Sequence, residues 1–353
     1  MSNPHHGKAS NGNPLNERRK IMKKTAIFIL TLAFVVGLAA GQAIAQPKVL
    51  KISNGINEQH PSYLGGKKFG EILAAKLPGK YTVQVYANSQ LGDDVRATEA
   101  VRMGTLEMVT TSASPLTGLV PEFNVFDLPF IVPSTKAADA IFDGPIGAKL
   151  AAALEPKGIK LLAYYENGFR QLTNSAHAVK SPADMKGLKI RTMQNPIHLE
   201  AFRAMGANPT PMPFSEVFTA LQQKTIDGQE NPIPTIWLSK FYEVQKYITL
   251  TGHVYGPHIT LIGKKLWDSF PAADQKVIAE AAQESAVYQR SINRQMDKDF
   301  VDNLKKAGCT VTELTPEQHK AFVDSVASVY VTWEPKIGKA LLDEFRATVN
   351  KAR

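Results

Sequence analysis

A single cysteine, Cys309, stands among 353 residues, so no internal disulfide can form and the fold must be held by its core. Catalytic motifs are missing as well. There is no HExxH, no GxSxG, no Walker loop and no Cys-His nucleophile pair. His253 and His258 are separated by Gly256-Pro257, which excludes a helical i, i+4 metal pair, so they read as ordinary strand or loop histidines. Asp93-Asp94 reads as a helix cap rather than an acid-base dyad. No metal and no cofactor are expected. Internal repeats and low-complexity linkers are absent from the part of the chain after residue 47.

Negative charge is scarce where the chain begins. Residues 1–45 hold Lys8, Arg18, Arg19, Lys20, Lys23 and Lys24 against Glu17 alone, a net of +5 out of the +9 of the whole chain. The remaining +4 is spread thinly, with no basic-aromatic stripe, so nucleic acid is not an expected partner. From Thr25 to Pro47 there is no charge, and Ile27 to Leu38 is strongly apolar. With the basic run Arg18–Lys24 before it and Ala43-Ile44-Ala45 after it, this is the pattern of a secretory signal peptide cleaved after Ala45. Residues 1–21 read as an extension upstream of Met22. The alternative, a retained transmembrane anchor, is opposed by the small, polar tail from Gly41 onward. The expected destination is the periplasm, as a soluble monomer, and no cysteine follows the leader to carry a lipid.

At 353 residues the chain exceeds one comfortable core, and 44% hydrophobic with 21% charged residues is ordinary for a soluble protein. After residue 47 strands and helices alternate, which implies parallel-rich sheets and an α/β class. Strands are predicted over 49–52, 81–86, 106–109, 161–165, 188–191, 247–251 and 258–262. Helices are predicted from Ser62, as cap, to about Ala75; from Asp93 or Asp94 to Met103; and over about 134–142 and 146–157. Long helical patterns follow over 271–306 and 316–351. Gly65 and Gly66, in the first turns of a helix, fit either an approaching anion or close helix packing. Thr110, Thr111, Ser112 and Ser114 form a hydroxyl cluster at a strand end, a plausible ligand wall.

The most informative stretch runs from Lys186 to Pro232. Leu188 and Ile190 lead to Arg191 at a strand end. Asn195 then offers a helix N-cap, Pro196 a first helical residue and Gly206 a left-handed cap. A proline-punctuated extended piece follows, then a helix with Ser215 as its cap, then the turn Asp227-Gly228 and the amide-rich Gln229-Glu230-Asn231. Ligands of open α/β sheets bind at strand ends, and arginine suits a carboxylate. The segments KGLKIR, GANPTPMPFSEVFTAL and DGQEN, in this order, resemble the solute-binding proteins of tripartite ATP-independent periplasmic (TRAP) transporters. NSQLGDD, FDLPF, ENGFRQLTNS and KFYEVQKY extend the resemblance over nearly all of the chain after residue 47.

The resemblance implies a two-domain periplasmic binding protein with several interdomain crossings and long C-terminal helices. One domain is expected over 46–167 plus about 257–296, the other over 168–256 plus about 297–353. It further implies that Arg191 forms a paired salt bridge to a substrate carboxylate. Arg170 resembles a second arginine near the ligand, or else a structural ion-pair partner. Asn231 resembles a polar contact, or merely starts a turn. Gln194, just past Arg191, and His60, in the loop after the first strand, join the expected set. Phe214 and Trp237 wall the pocket or belong to the core. Where sialate-binding members carry an acidic residue after the third strand this chain has Ser112, which leaves smaller organic acids open as ligand. The expected function is capture of an organic acid anion and delivery to a membrane TRAP permease. The rivals are a receptor serving another importer or a chemoreceptor, and a periplasmic enzyme.

Overall fold

Alternation builds the first strand: in β1 (Lys48–Asn54) Leu50 and Ile52 are fully buried, while Lys48, Val49 and Lys51 face outward. The computed structural model describes residues 46–352, together with Met1, Ser2, Leu15, Arg18, Arg19, Met22 and Lys23. The expected apolar leader and its cleavage site lie outside the described residues. Helix α1 (Pro61–Lys76) is capped by His60, whose Nδ1 accepts from the Ser62 N–H at 3.2 Å. Ser62, the predicted cap, lies inside the helix because Pro61, lacking an N–H, takes the first helical position. A Cβ on Gly65 would stand 2.7 Å from Tyr165 Cε2 and 3.0 Å from Gln289, so close packing accounts for that glycine.

Strand β2 (Tyr81–Tyr86) and helix α2 (Asp94–Met103) come next, the helix capped by Asp93 and closed by Gly104 at φ +79°. Then follow β3 (Met108–Ser112), the short α3 (Asn124–Asp127), α4 (Thr135–Phe142), α5 (Pro145–Ala152) and β4 (Ile159–Phe169). The chain passes through Arg170 directly into β5 (Gln171–Asn174). Strand β6 (Lys189–Thr192) and helix α6 (Pro196–Ala204) follow, and Asn195 caps α6 as expected. The proline-punctuated piece is β7 (Asn208–Pro211), paired in parallel with β6. Helix α7 (Phe214–Gln222) begins one residue before the predicted cap Ser215, with Pro213 in the capping position and no side-chain cap. The segment read as a turn and amide-rich tail is a buried strand, β8 (Gly228–Asn231). A Cβ on Gly228 would meet the Thr173 carbonyl at 2.1 Å, so only glycine lets β8 approach β5.

Helix α8 (Ile233–Leu238) and β9 (Tyr247–Leu250) lead to β10 (Tyr255–Gly263), α9 (Lys264–Asp268) and the 35-residue α10 (Ala272–Lys306). Strand β11 (Thr310–Glu313) is followed by α11 (Pro316–Ser325), α12 (Ala327–Ile337) and α13 (Lys339–Lys351). The pattern read as one long helix is thus three, divided at Val326 and at Gly338, whose φ is +92°.

The strands form two sheets, ordered β2-β1-β3-β10-β4 and β11-β9-β5-β8-β6-β7. Each sheet is parallel except for one strand: β10 opposes its neighbours in the first, and β5 in the second. The reason lies in the path. Both strands enter directly from the other sheet, so they start at the edge where the remaining strands end. The chain changes sheets three times, at Arg170, over 251–254, and along α10. Helix α10 packs on α1 and β4, and further along on α8 and β11. It is pinned to β4 by Gln289, which bonds both the Glu166 N–H (2.7 Å) and carbonyl (2.8 Å), and by Arg290, Asn293 and Arg294. At the C-terminus α12 packs on α6, while α13 packs on α4 and α5 and brings Phe345 against Phe126.

Candidate functional site

The strand ends of both sheets converge on one small cavity. From the first sheet come Asn54 at the end of β1, Thr110, Thr111 and Ser112 of β3, Asn167 of β4 and His258 of β10. From the second come Arg191 of β6 and Asn231 of β8, with Met193, Phe214 and Thr235 beside them. Gly55, Ile56 and Asp94 complete the wall.

Arg191 is 3% exposed and, among the described residues, is the only cationic side chain lining the cavity. Its Nε–H and Nη2–H both donate to the Met212 carbonyl, at 2.9 and 2.6 Å. The side-on fork of the guanidinium is therefore engaged and its plane fixed. Nη1, by contrast, is buried with no partner among the described residues. Arg191 lines the cavity, and the end-on fork formed by Nη1 and the second Nη2 hydrogen is of the kind that matches two carboxylate oxygens. Burial pushes the guanidinium pKa down to about 10, opposed by the nearby Glu230 carboxylate, so the group stays charged at neutral pH.

Arg170 takes another place. It is fully buried where the chain crosses from β4 to β5, and its Nε and Nη2 hold the Glu230 carboxylate, with Nη2 also donating to Asn231 Oδ1 at 3.2 Å. His253, on the return crossing, adds Nε2 to Glu230 at 3.1 Å, and the Arg170 N–H donates to the Val254 carbonyl at 2.8 Å. Burial opposes ionisation of Glu230, but Arg170 and His253 outweigh it and hold its pKa below the ordinary carboxylate range. Two crossings are thus tied to β8 by one buried ion pair. Of the two readings of Arg170, the ion-pair partner is the one its geometry fits.

Of the expected residues, the fold brings Arg191, Asn231, Ser112 and Phe214 to the cavity. His60 stands one layer behind, bonding Thr235 Oγ1 at 3.0 Å through Nε2. Gln194, in the bend after β6, is exposed, and its neighbour Met193 lines the cavity instead. Trp237 stacks on Tyr242 with ring centroids 4.5 Å apart and lines no part of the cavity. It is half-buried, packed against the apolar cluster that includes Ile236 and Phe241. Of the hydroxyl cluster, Ser114 turns away and bonds Asp127.

Reading the sequence missed Asp94, Asn54, Asn167 and His258 as lining residues. Asp93 already caps α2, accepting from the Val95 and Arg96 N–H groups at 3.1 and 2.9 Å, which frees its neighbour to face the cavity. Burial pushes the Asp94 carboxyl up to about 6; a hydrogen bond from Thr111 and the Arg191 charge hold it lower than burial alone would. His258 is pushed down to about 3 by burial and by Arg170, so it is neutral. Among the described residues no group of three or more His, Cys, Asp or Glu side chains could hold a metal, and no helix is long and apolar enough to cross a membrane.

A walled cavity between two sheets, lined by a braced guanidinium that has no ion-pair partner among the described residues, is the site of a receptor for small anions. The chain belongs to the bacterial extracellular solute-binding proteins, family 7, whose model matches residues 52–336. It is a binding protein and not an enzyme. It is 38% identical over 296 residues to the 2,3-diketo-L-gulonate-binding periplasmic protein YiaO of Escherichia coli (strain K12), covering 84% of this chain and 90% of that one. The sugar acid binding protein DctPAm of Advenella mimigardefordensis strain DPN7T, solved with galactonate, superposes with a TM-score of 0.85. Its identity is 39%, over 87% of this chain and 99% of that one. A TRAP periplasmic solute binding protein of Shewanella oneidensis with bound succinate gives 0.83 at 34% identity, over 86% and 99% of the two chains.

Proposed function

We propose that this chain captures a small organic acid in the cavity between its sheets and delivers it to a membrane TRAP permease. One observation carries the reading: Arg191 presents a buried guanidinium whose end-on fork has no protein partner. A ligand carboxylate placed there gains two charge-assisted hydrogen bonds in a site shielded from water. Asn231 and Ser112 bear on the same ligand, with Phe214 as an apolar wall. Arg170 acts from behind, by holding β8 in place.

The same reading takes the two sheets as the cores of two domains, over 46–167 plus about 257–296 and over 168–256 plus about 297–353. Closure occurs about the crossings at Arg170 and 251–254. The relatives are periplasmic, which supports export by a leader removed after Ala45, and the receptor then works as a monomer. Binding and closure are the whole activity.

A thermal-shift screen of organic acids tests the reading, because a ligand of the folded state raises the melting temperature. At least one carboxylate should do so, and Arg191→Ala should abolish the shift. Small-angle scattering should show a smaller radius of gyration with that ligand. No shift with any acid across the panel would overturn the proposal.

A further inference from the structure

The cavity carries more information about its ligand than a single carboxylate uses. Four of its polar groups are unmatched or acidic, and they are of opposite kinds. Arg191 Nη1 and Asn54 Nδ2 are buried donors without a partner among the described residues. The Asn54 amide cannot turn to hide its donor, because its Oδ1 already accepts the Ile56 N–H at 3.1 Å. Asn167 Oδ1 is a buried acceptor without a partner among the described residues, and the Asp94 carboxylate also lines the cavity.

A dicarboxylate offers only acceptors. It would serve Arg191 and Asn54, but it would set a second negative charge in a cavity that already holds Asp94. It would find no second cation. Among the described residues Arg191 is the only one lining the cavity, and Arg170 is committed to Glu230. A buried carboxylate without a partner is among the costlier arrangements in a protein interior. A hydroxyl group, in contrast, donates and accepts at once, so it can satisfy Asn54 on one side and Asn167 or Asp94 on the other.

We infer that the ligand is a polyhydroxylated monocarboxylate, its carboxylate on Arg191 and its hydroxyls read by Asp94 and Asn167, and that Asp94 is the residue that turns dicarboxylates away. This rests on the organic-acid reading above and narrows it. Burial raises the Asp94 pKa to about 6, so above pH 7 the group is chiefly an anion: the strongest acceptor for a hydroxyl and the most repellent neighbour for a second carboxylate.

The test compares acids of one chain length on the purified protein, by calorimetry at pH 8: D-erythronate, succinate and butyrate, with D-galactonate as a longer hydroxy acid. One of the two hydroxy acids should bind at least ten-fold tighter than succinate and than butyrate. Asp94→Asn should narrow the gap to succinate by about ten-fold, because the amide keeps an acceptor and removes the charge. Succinate binding the wild type as tightly as the better hydroxy acid would overturn the inference and leave the organic-acid reading standing. Butyrate doing so would show that the hydroxyls are not read. An Asp94→Asn variant that folds but keeps the wild-type ratio would remove Asp94 from the role. If none of the four acids binds and no carboxylate shifts the melting temperature, both readings fall together. The wild-type comparison decides even if the variant does not fold.

Discussion

Replacing Arg191 by methionine, which is similar in length and has no charge, should move affinity and stability in different directions. In the wild type the guanidinium is buried, and the fall of its pKa to about 10 corresponds to about 3 kcal/mol by which the surroundings oppose the charge. Two hydrogen bonds to Met212 offset part of that. A ligand carboxylate on the end-on fork adds two charge-assisted bonds of about 1.5–3 kcal/mol each. Losing them should weaken binding by about 3–5 kcal/mol, or roughly 200- to 4000-fold. The ligand-free variant sheds the buried charge but leaves the Met212 carbonyl without its donors, a loss of about 1–3 kcal/mol. Its stability should therefore match or exceed that of the wild type. Calorimetry with the acid found by thermal shift reads the first quantity, and urea melts without ligand read the second. Arg191→Lys should recover little, since an ammonium cannot present a fork. Binding within about five-fold of wild type, together with a clearly destabilised fold, would mean that Arg191 is a brace for Met212 and not a clamp.

Asp94, with a folded pKa of about 6 above its unfolded value, contributes stability that is present below pH 4 and lost as pH rises through 6. Arg191 and Arg170 favour its charge and Asp93 opposes it, and Asp297 titrates nearby in pH for its own reasons. The measurement is therefore the difference in ligand-free urea melts between wild type and Asp94→Asn from pH 4 to 8, and a flat difference would refute the assignment. Glu230→Gln leaves Arg170 buried without its counter-charge, and should cost about 3–5 kcal/mol in the same melts. Gly65→Ala forces a Cβ to within 2.7 Å of Tyr165, and should destabilise by about 1–3 kcal/mol. Trp237→Phe should leave affinity within two-fold of wild type by calorimetry, because the ring stacks on Tyr242 and not on the ligand.

What the sequence made legible followed the strength of local signals. Asn195-Pro196 and Gly206 mark the ends of α6, so the end of β6, and with it Arg191, could be placed before any contact was known. Strand β8 was hidden because Gly228-Gln229-Glu230-Asn231 has no apolar alternation. Its burial is set by the ion pair to Arg170, a partner 60 residues away. Asp94 was hidden by its neighbour, since one helix start needs one cap and the sequence offers two adjacent acids. Trp237 misled for the opposite reason: a large aromatic near a site fits wall and core equally, and only the stack on Tyr242 decides. The reversed strands β10 and β5 follow from chain crossings, which no period of two or 3.6 residues records.

Helix α10 can also be seen as a lever. Its 35 residues make a rod of about 52 Å, without an internal glycine or proline to bend it. The fulcrum is the cluster Gln289, Arg290, Asn293 and Arg294, gripping β4 within a few residues of Asn167 in the cavity wall. From Arg294 to the end of the rod is about 18 Å, so a tilt of about 5° carries that end by about 1.5 Å. That is enough to break one hydrogen bond or make another. Beyond the tip lies β11, which is paired with β9 at the far edge of the second sheet. A small tilt at the fulcrum would thus be enlarged at a rim beyond the cavity wall.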